Sequence, residues 1–132
     1  MYSAAGKGTS YLVLSAQKNP IKQFPIERIL MIPKESTLQR NERLFQCESP
    51  VVMVTGSSAP RVGRRVVETF LSQNFRVVIH SHQADEAAQQ SLDELIAAGH
   101  TATLVTGAVE DEAAVATWVE HTLEFFGRVD VL

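Results

Sequence analysis

From Val51 onward the apolar residues switch repeatedly between two periodicities, and this constrains the fold more tightly than anything else in the chain. Val51-Val-Met-Val-Thr55 is a continuous β-branched run, the pattern of a strand buried on both faces. Arg64 to Gln73 follows with Val66, Val67, Phe70 and Leu71 at helical spacing, and Asn74 suits a left-handed turn closing that helix. Phe75-Arg-Val-Val-Ile-His80 reads as a second strand. Asp85 to Ala98 reads as a helix with Ala88, Leu92, Leu95 and Ile96 inward, stopped by Gly99. Thr101 to Thr106 makes a third strand. Glu112 to Phe126 makes a third helix, with Val115, Trp118, Val119, Thr122 and Phe126 on one stripe, ended by Gly127. Arg128-Val-Asp-Val-Leu132 opens a fourth strand. Short connections and strict alternation imply an α/β fold: a parallel sheet in the order 3-2-1-4 with helices on both faces. The crevice outside the first strand's carboxyl end is then the expected ligand site.

Residues 1–50 read differently. They hold all four lysines (Lys7, Lys18, Lys22 and Lys34) and a net charge of +3, against −6 for residues 51–132. Pro20, Pro25 and Pro33 prevent a long helix, leaving Tyr11 to Leu14 as a short strand and Ile26 to Ile32 as a brief apolar stretch. The expectation is an irregular or disordered extension over 1–50 and a partial dinucleotide-binding domain over 51–132. No acid precedes Glu27, but arginine is equally absent there and serine scarce, which argues against a targeting peptide. Tyr11 to Ala16 is too brief for a secretory core of about 7–15 residues. The longest apolar runs are four residues, far short of the roughly 20 that span a bilayer. A net charge of −3 offers no footprint for nucleic acid, and the lone Cys47 excludes a disulfide framework. A cytoplasmic protein is expected.

The chemistry concentrates in Gly56-Ser-Ser-Ala-Pro-Arg-Val-Gly63, between the first strand and first helix of this region. Backbone N–H groups at a helix start favour an anion, and the dipole adds about 0.3–1 kcal/mol. Those between Thr55 and Arg64 are the candidates for a pyrophosphate. Gly56 permits a tight turn and Gly63 a close helix–sheet approach. Ser57 and Ser58 offer hydroxyls, and Arg61 offers charge. A phosphate-transfer loop fits poorly, because Arg64 stands where that motif needs lysine. A receiver domain fits worse, because no acidic pair closes the first strand. A nicotinamide dinucleotide is the better ligand.

Val52-Met-Val-Thr-Gly56, Arg61-Val-Gly63 opening a helix, and Phe126-Gly-Arg-Val-Asp-Val-Leu132 together resemble the amino-terminal half of the short-chain dehydrogenase/reductase family. The resemblance implies a Rossmann-type fold, truncated after the fourth strand, and hydride transfer to a carbonyl or imine in the complete enzyme. Arginine in place of the middle glycine, and Ile79-His-Ser-His-Gln-Ala84 after the second strand, look most like the pteridine reductase-like branch. The loop is one residue longer than the family's, Gln83 replaces that branch's arginine, and Ala108 replaces the family's adenine-contacting aspartate. The resemblance implies cofactor contacts at Thr55, Gly56, Ser57, Ser58, Arg61, Val62, Gly63, Ser81, His82 and the backbone of Val109. No acid ends the second strand to take the ribose 2′-OH of NAD, so NADP is expected over NAD.

The family's tyrosine and the lysine four residues beyond it have no counterpart: Tyr2 and Tyr11 have Gly6 and Ser15 at that spacing. No catalytic residue is assigned. His80 and His82 share a strand face without a third ligand, so no metal is expected. His100 and His121 are placed near surface turns, and Trp118, Phe125 and Phe126 in packing. Cys47 has no base near it in sequence, and Glu110-Asp-Glu112 reads as a helix start. An unpaired edge at Arg128 to Leu132 implies self-association or a complementing chain. Two functions follow: the nucleotide-binding half of an NADP-dependent oxidoreductase, or a non-catalytic binding or regulatory module with the same fold.

Overall fold

The computed structural model describes residues 34–132, so the stretches at Tyr11–Leu14 and Ile26–Ile32 lie outside it. Its elements are α1 (Thr37–Phe45), β1 (Val51–Val54), α2 (Val62–Ser72), β2 (Arg76–Ser81), α3 (Glu86–Ala97), β3 (Ala102–Thr106) and α4 (Glu112–Phe126). The three strands are parallel in the order β1-β2-β3, with Val51 opposite Arg76 and Val77 opposite Ala102. The expected fourth strand is reduced to one parallel bridge, Val52 to Val131, on the free side of β1. The side it takes is the one the 3-2-1-4 order requires. Met53 N–H donates to the Val131 carbonyl at 3.0 Å, and the N–H groups of Asp130 and Val131 donate to Val51.

Both faces of the sheet are covered, as continuous apolar strands demand. On one, Val52, Val77 and Ile79 pack with Val67 and Leu71 of α2 and Leu95 of α3. On the other, Val51, Met53, Val78 and Val105 pack with Trp118 and Phe126 of α4. The helix ends follow local chemistry. Asp85 caps α3 through the Ala88 N–H at 2.8 Å, and Asp111 caps α4 through those of Ala113 and Ala114. Gly127 closes α4 at φ 77°, and Asn74 ends the α2 turn at φ 63°. Three of the expected stripe positions turn outward: Ile96 is 52%, Val119 40% and Val66 37% exposed. Among the described residues no helix is long and apolar enough to cross a membrane.

Helix α1 falls within the expected extension over 1–50 and packs on the elements that follow it. Asn41 is fully buried, and its amide donates to the carbonyls of Glu48 and Gln73 at 3.0 and 2.9 Å. Arg40 adds a bond to the Gln73 side chain at 2.8 Å, and Phe45 meets Phe75 edge-on at 5.5 Å between centroids. Polar bonds over more than thirty positions therefore dock this helix, and no local apolar run announces them. Arg128 fastens the other end, donating to the Phe45 carbonyl at 2.7 Å while its Nε donates to Asp130 Oδ2 at 2.8 Å.

Candidate functional site

The carboxyl ends of β1, β2 and β3 converge on the loop that leads into α2. Gly56 takes a left-handed conformation at φ 62°, which glycine adopts without a Cβ penalty. Beside it Ser57 is fully buried. Its hydroxyl donates to the Val54 carbonyl at 2.6 Å and accepts from the His80 N–H at 3.1 Å. The expected role of Ser57 as a hydroxyl donor to phosphate is therefore corrected, since tertiary packing has taken the group inward. The amides of this stretch are committed as well. Gly56 N–H donates to His80 Nδ1 at 3.0 Å, and those of Ser57 and Ser58 donate to the His80 carbonyl at 3.0 and 3.2 Å. The anion-binding amides expected across Thr55 to Arg64 narrow to the far end of the loop.

At that far end the helix start is open. Arg61 is the N-cap in extended conformation and makes no side-chain capping bond. Its own N–H closes on the Ala59 carbonyl at 2.7 Å around Pro60, while the N–H groups of Val62, Gly63 and Arg64 have no acceptor one turn earlier in the helix. Gly63 is held against the turn so closely that a Cβ there would stand 2.5 Å from the Gly56 oxygen and 2.9 Å from Ser57 Cα. Arg61, Val62 and Thr55 are exposed around this start. Arg64 turns away: its Nη1 donates to the Ser91 hydroxyl at 2.6 Å, and its other nitrogens lie 3.5 and 3.7 Å from Glu68 and Glu94. The site's exposed cation is Arg61.

Ser58 and Ser81 come together along a cavity of about 540 Å³, with Ala59, Pro60, Asp85 and Ser91 on its walls. The Ser81 carbonyl accepts from the Gly107 N–H at 3.1 Å, and His82 and Gln83 stand exposed past the strand end. No acid occupies that strand end. Val109 is 57% exposed beyond the β3 turn. Among the described residues no group of three metal-ligating side chains occurs. His121 is not near a turn: it sits within α4, half-buried, 2.9 Å from the Thr103 hydroxyl. His80 is the residue whose part the sequence reading missed. Its signal was a polar side chain ending a run of Val77, Val78 and Ile79.

An open parallel sheet whose first strand leads through glycines to an uncapped helix start defines a dinucleotide-binding fold. The short chain dehydrogenase family model matches residues 50–132, and the chain belongs to that family. It is 38% identical over 88 residues to (2S)-[(R)-hydroxy(phenyl)methyl]succinyl-CoA dehydrogenase subunit BbsD of Thauera aromatica, covering 64% of this chain and 34% of that protein. It is 30% identical over 80 residues to glucose 1-dehydrogenase 2 of Bacillus subtilis, covering 61% and 31%. A crystallised short chain dehydrogenase from Mycobacterium smegmatis superposes with a TM-score of 0.59 at 25% identity, over 63% of this chain and 35% of that one. The chain thus spans about a third of the length of the curated relatives it matches. Members of this family use nicotinamide dinucleotide cofactors.

Proposed function

We propose that this chain is the nucleotide-binding portion of an NADP-dependent short-chain oxidoreductase and works in the cytoplasm. One observation carries the reading: an uncapped helix start, closed tightly on a left-handed glycine turn, with Arg61 exposed at its mouth. The residues fit the cofactor's pyrophosphate through the amides of Val62, Gly63 and Arg64, where an anion meets both free donors and the positive end of the helix dipole. In this reading Arg61 meets the 2′-phosphate, with Ser58, Ser81 and His82 as further polar contacts and Val109 flanking the adenine. Bound NADPH would supply the hydride for a carbonyl or imine and leave as NADP. The part of residues 51–132 is to hold and orient the nucleotide. The arginine in place of the loop's middle glycine supports an origin near the pteridine reductase-like branch, and the half-buried free Cys47 suits a reducing compartment.

Calorimetric titration with NADPH and NADH tests the reading. NADPH is expected to bind about tenfold more tightly than NADH, and Arg61→Ala to remove that margin while leaving NADH unchanged, as loss of one charge-assisted bond implies. Equal affinities would overturn the NADP preference; binding of neither would overturn the nucleotide site.

We propose further that the free side of β1 takes a second copy of this chain. An apolar cavity of about 510 Å³ lies there, walled by Val54, Val66, Phe70, Val115 and Val119, and Leu132 at its lip is 85% exposed. Among the described residues only the Val131 bridge covers that edge. An edge so thinly covered beside an apolar surface recruits another chain, and a net charge of −3 supplies little repulsion. Sedimentation across a hundredfold range of concentration should show reversible association. A monomer throughout, with a sharp thermal transition independent of concentration, would overturn this.

A further inference from the structure

We propose that His80 is a positioning residue for the cofactor turn, acting as a neutral imidazole that bolts the β1–α2 turn to the β3–α4 turn. The inference rests on the nucleotide-binding reading for its purpose, while its geometry stands apart from it. His80 ends β2 at 3% exposure, between the two turns. Its Nδ1 lies 3.0 Å from the Gly56 nitrogen. A backbone amide only donates, so Nδ1 is the unprotonated acceptor. Its Nε2 lies 2.9 Å from the Gly107 oxygen. A carbonyl only accepts, so Nε2 carries the hydrogen. Both partners are satisfied by one tautomer, and neither the other tautomer nor the imidazolium serves the Gly56 bond.

The surroundings fix the ring in that role. It packs on Trp118 at 4.4 Å between centroids, and Trp118 Nε1 is itself anchored on the Thr106 carbonyl at 2.8 Å. Gly107 sits at φ 139°, where an added Cβ would meet Ala114 at 3.1 Å and Trp118 at 3.3 Å. On the other side, the bond from Gly56 N–H fixes that peptide in the left-handed turn. The Gly56 carbonyl lies in the next peptide, whose Ser57 N–H donates to the His80 carbonyl at 3.0 Å. Gly63 rests against that Gly56 carbonyl so closely that a Cβ would stand 2.5 Å from its oxygen. His80 thus holds the peptides on both sides of Gly56, one through its ring and one through its carbonyl, and Gly63 with the first turn of α2 rests on the second. The open amides of Val62, Gly63 and Arg64 are aimed by a residue that touches none of them. A hydrophobic residue at this buried position would fill the space and leave the Gly56 amide and Gly107 carbonyl without their partner.

Two isosteric halves of histidine separate this role from simple packing. His80→Asn keeps an acceptor near the Nδ1 position and gives up the bond to Gly107. His80→Gln keeps a donor near Nε2 and gives up the bond to Gly56. NADPH affinity is expected to stay within about threefold of the parent in the first variant and to fall about tenfold in the second, at similar losses of thermal stability. Equal losses of affinity in both, or none in either, would overturn the proposal. Amide hydrogen exchange reads the same hold without cofactor: Gly56 should exchange faster in His80→Gln than in His80→Asn, and the reverse order would overturn the proposal. Imidazole ¹⁵N shifts of the unmodified chain should report a protonated Nε2 and bare Nδ1, and an Nδ1–H tautomer would refute it even if both variants failed to fold. Absence of NADPH binding by the parent chain, with exchange and tautomer as expected, would remove the nucleotide reading and leave the bolt standing.

Discussion

Gly63→Ala is expected to lose measurable cofactor binding and to destabilise the fold by about 1–3 kcal/mol, as an added methyl without room typically does. The added Cβ would lie 2.5 Å from the Gly56 oxygen, 2.9 Å from Ser57 Cα and 3.0 Å from the Gly56 carbon. All three are backbone atoms, so no side chain can rotate to make room. Relief requires either α2 to lift from the sheet, which exposes Val67 and Leu71, or the Gly56 turn to open, which breaks its bond to His80. Either movement displaces the amides at the helix start. Gly99→Ala is the informative control. Its φ is 86°, yet nothing lies within 4 Å of an added Cβ. It should suffer backbone strain of about 1–2 kcal/mol and keep its cofactor affinity. Thermal melts with NADPH titrations on both variants check this. A Gly63→Ala protein that binds as well as Gly99→Ala would remove the tight turn from the explanation.

Asp130→Ala is expected to cost about 1–3 kcal/mol at neutral pH, the range for removing a hydrogen-bonded charged group and stranding its partners. Asp130 Oδ2 accepts from the Val51 N–H at 2.8 Å and from Arg128, which in turn reaches back to Phe45. One carboxylate thus joins the bridge beside β1 to the start of that strand. Burial pushes the Asp130 carboxyl up, but the Arg128 hydrogen bond, the Val51 N–H and the charges of Arg128 and Arg76 outweigh it, and it titrates below the ordinary carboxylate range. A depressed folded-state pKa means stability that is fully present above the unfolded value of about 3.9 and lost as pH falls through the lower folded value. The stability gap between parent and variant should therefore close below about pH 4. Denaturant melts across pH 2.5 to 7 check it, since the remaining acids titrate alike in both proteins. A gap that persists unchanged into acid would mean the carboxylate's charge contributes nothing.

Much of the fold was legible because it rests on local pattern. The limits of α4 coincide with the expected Glu112 to Phe126, since an aspartate cap and a terminal glycine mark both ends. Other elements shift by one or two residues at their ends. The start of α2 moves further in consequence, because Val62 and Gly63 join the helix and Arg61 becomes its cap. Helix α1 was not legible. Its apolar pattern is weak, and it is fastened by the buried Asn41 amide rather than by a stripe. At the site, the glycines Gly56 and Gly63 announced the turn, and exposed Arg61 its charge. Ser57 misled, because a serine beside a phosphate loop looks the same in sequence whether its hydroxyl faces solvent or a strand carbonyl.

Residue order alone dictates the alternation of strands and helices and where the chain turns, because periodicity and glycine conformation act over a few neighbouring residues. Contacts across the folded chain decide which backbone amides stay open, which nitrogen of His80 carries its hydrogen, and that Val131 bridges to Val52 beside β1. Each depends on groups brought together from distant positions, as Gly56 and Gly107 are on one imidazole. A buried donor must find whichever acceptor the packing supplies.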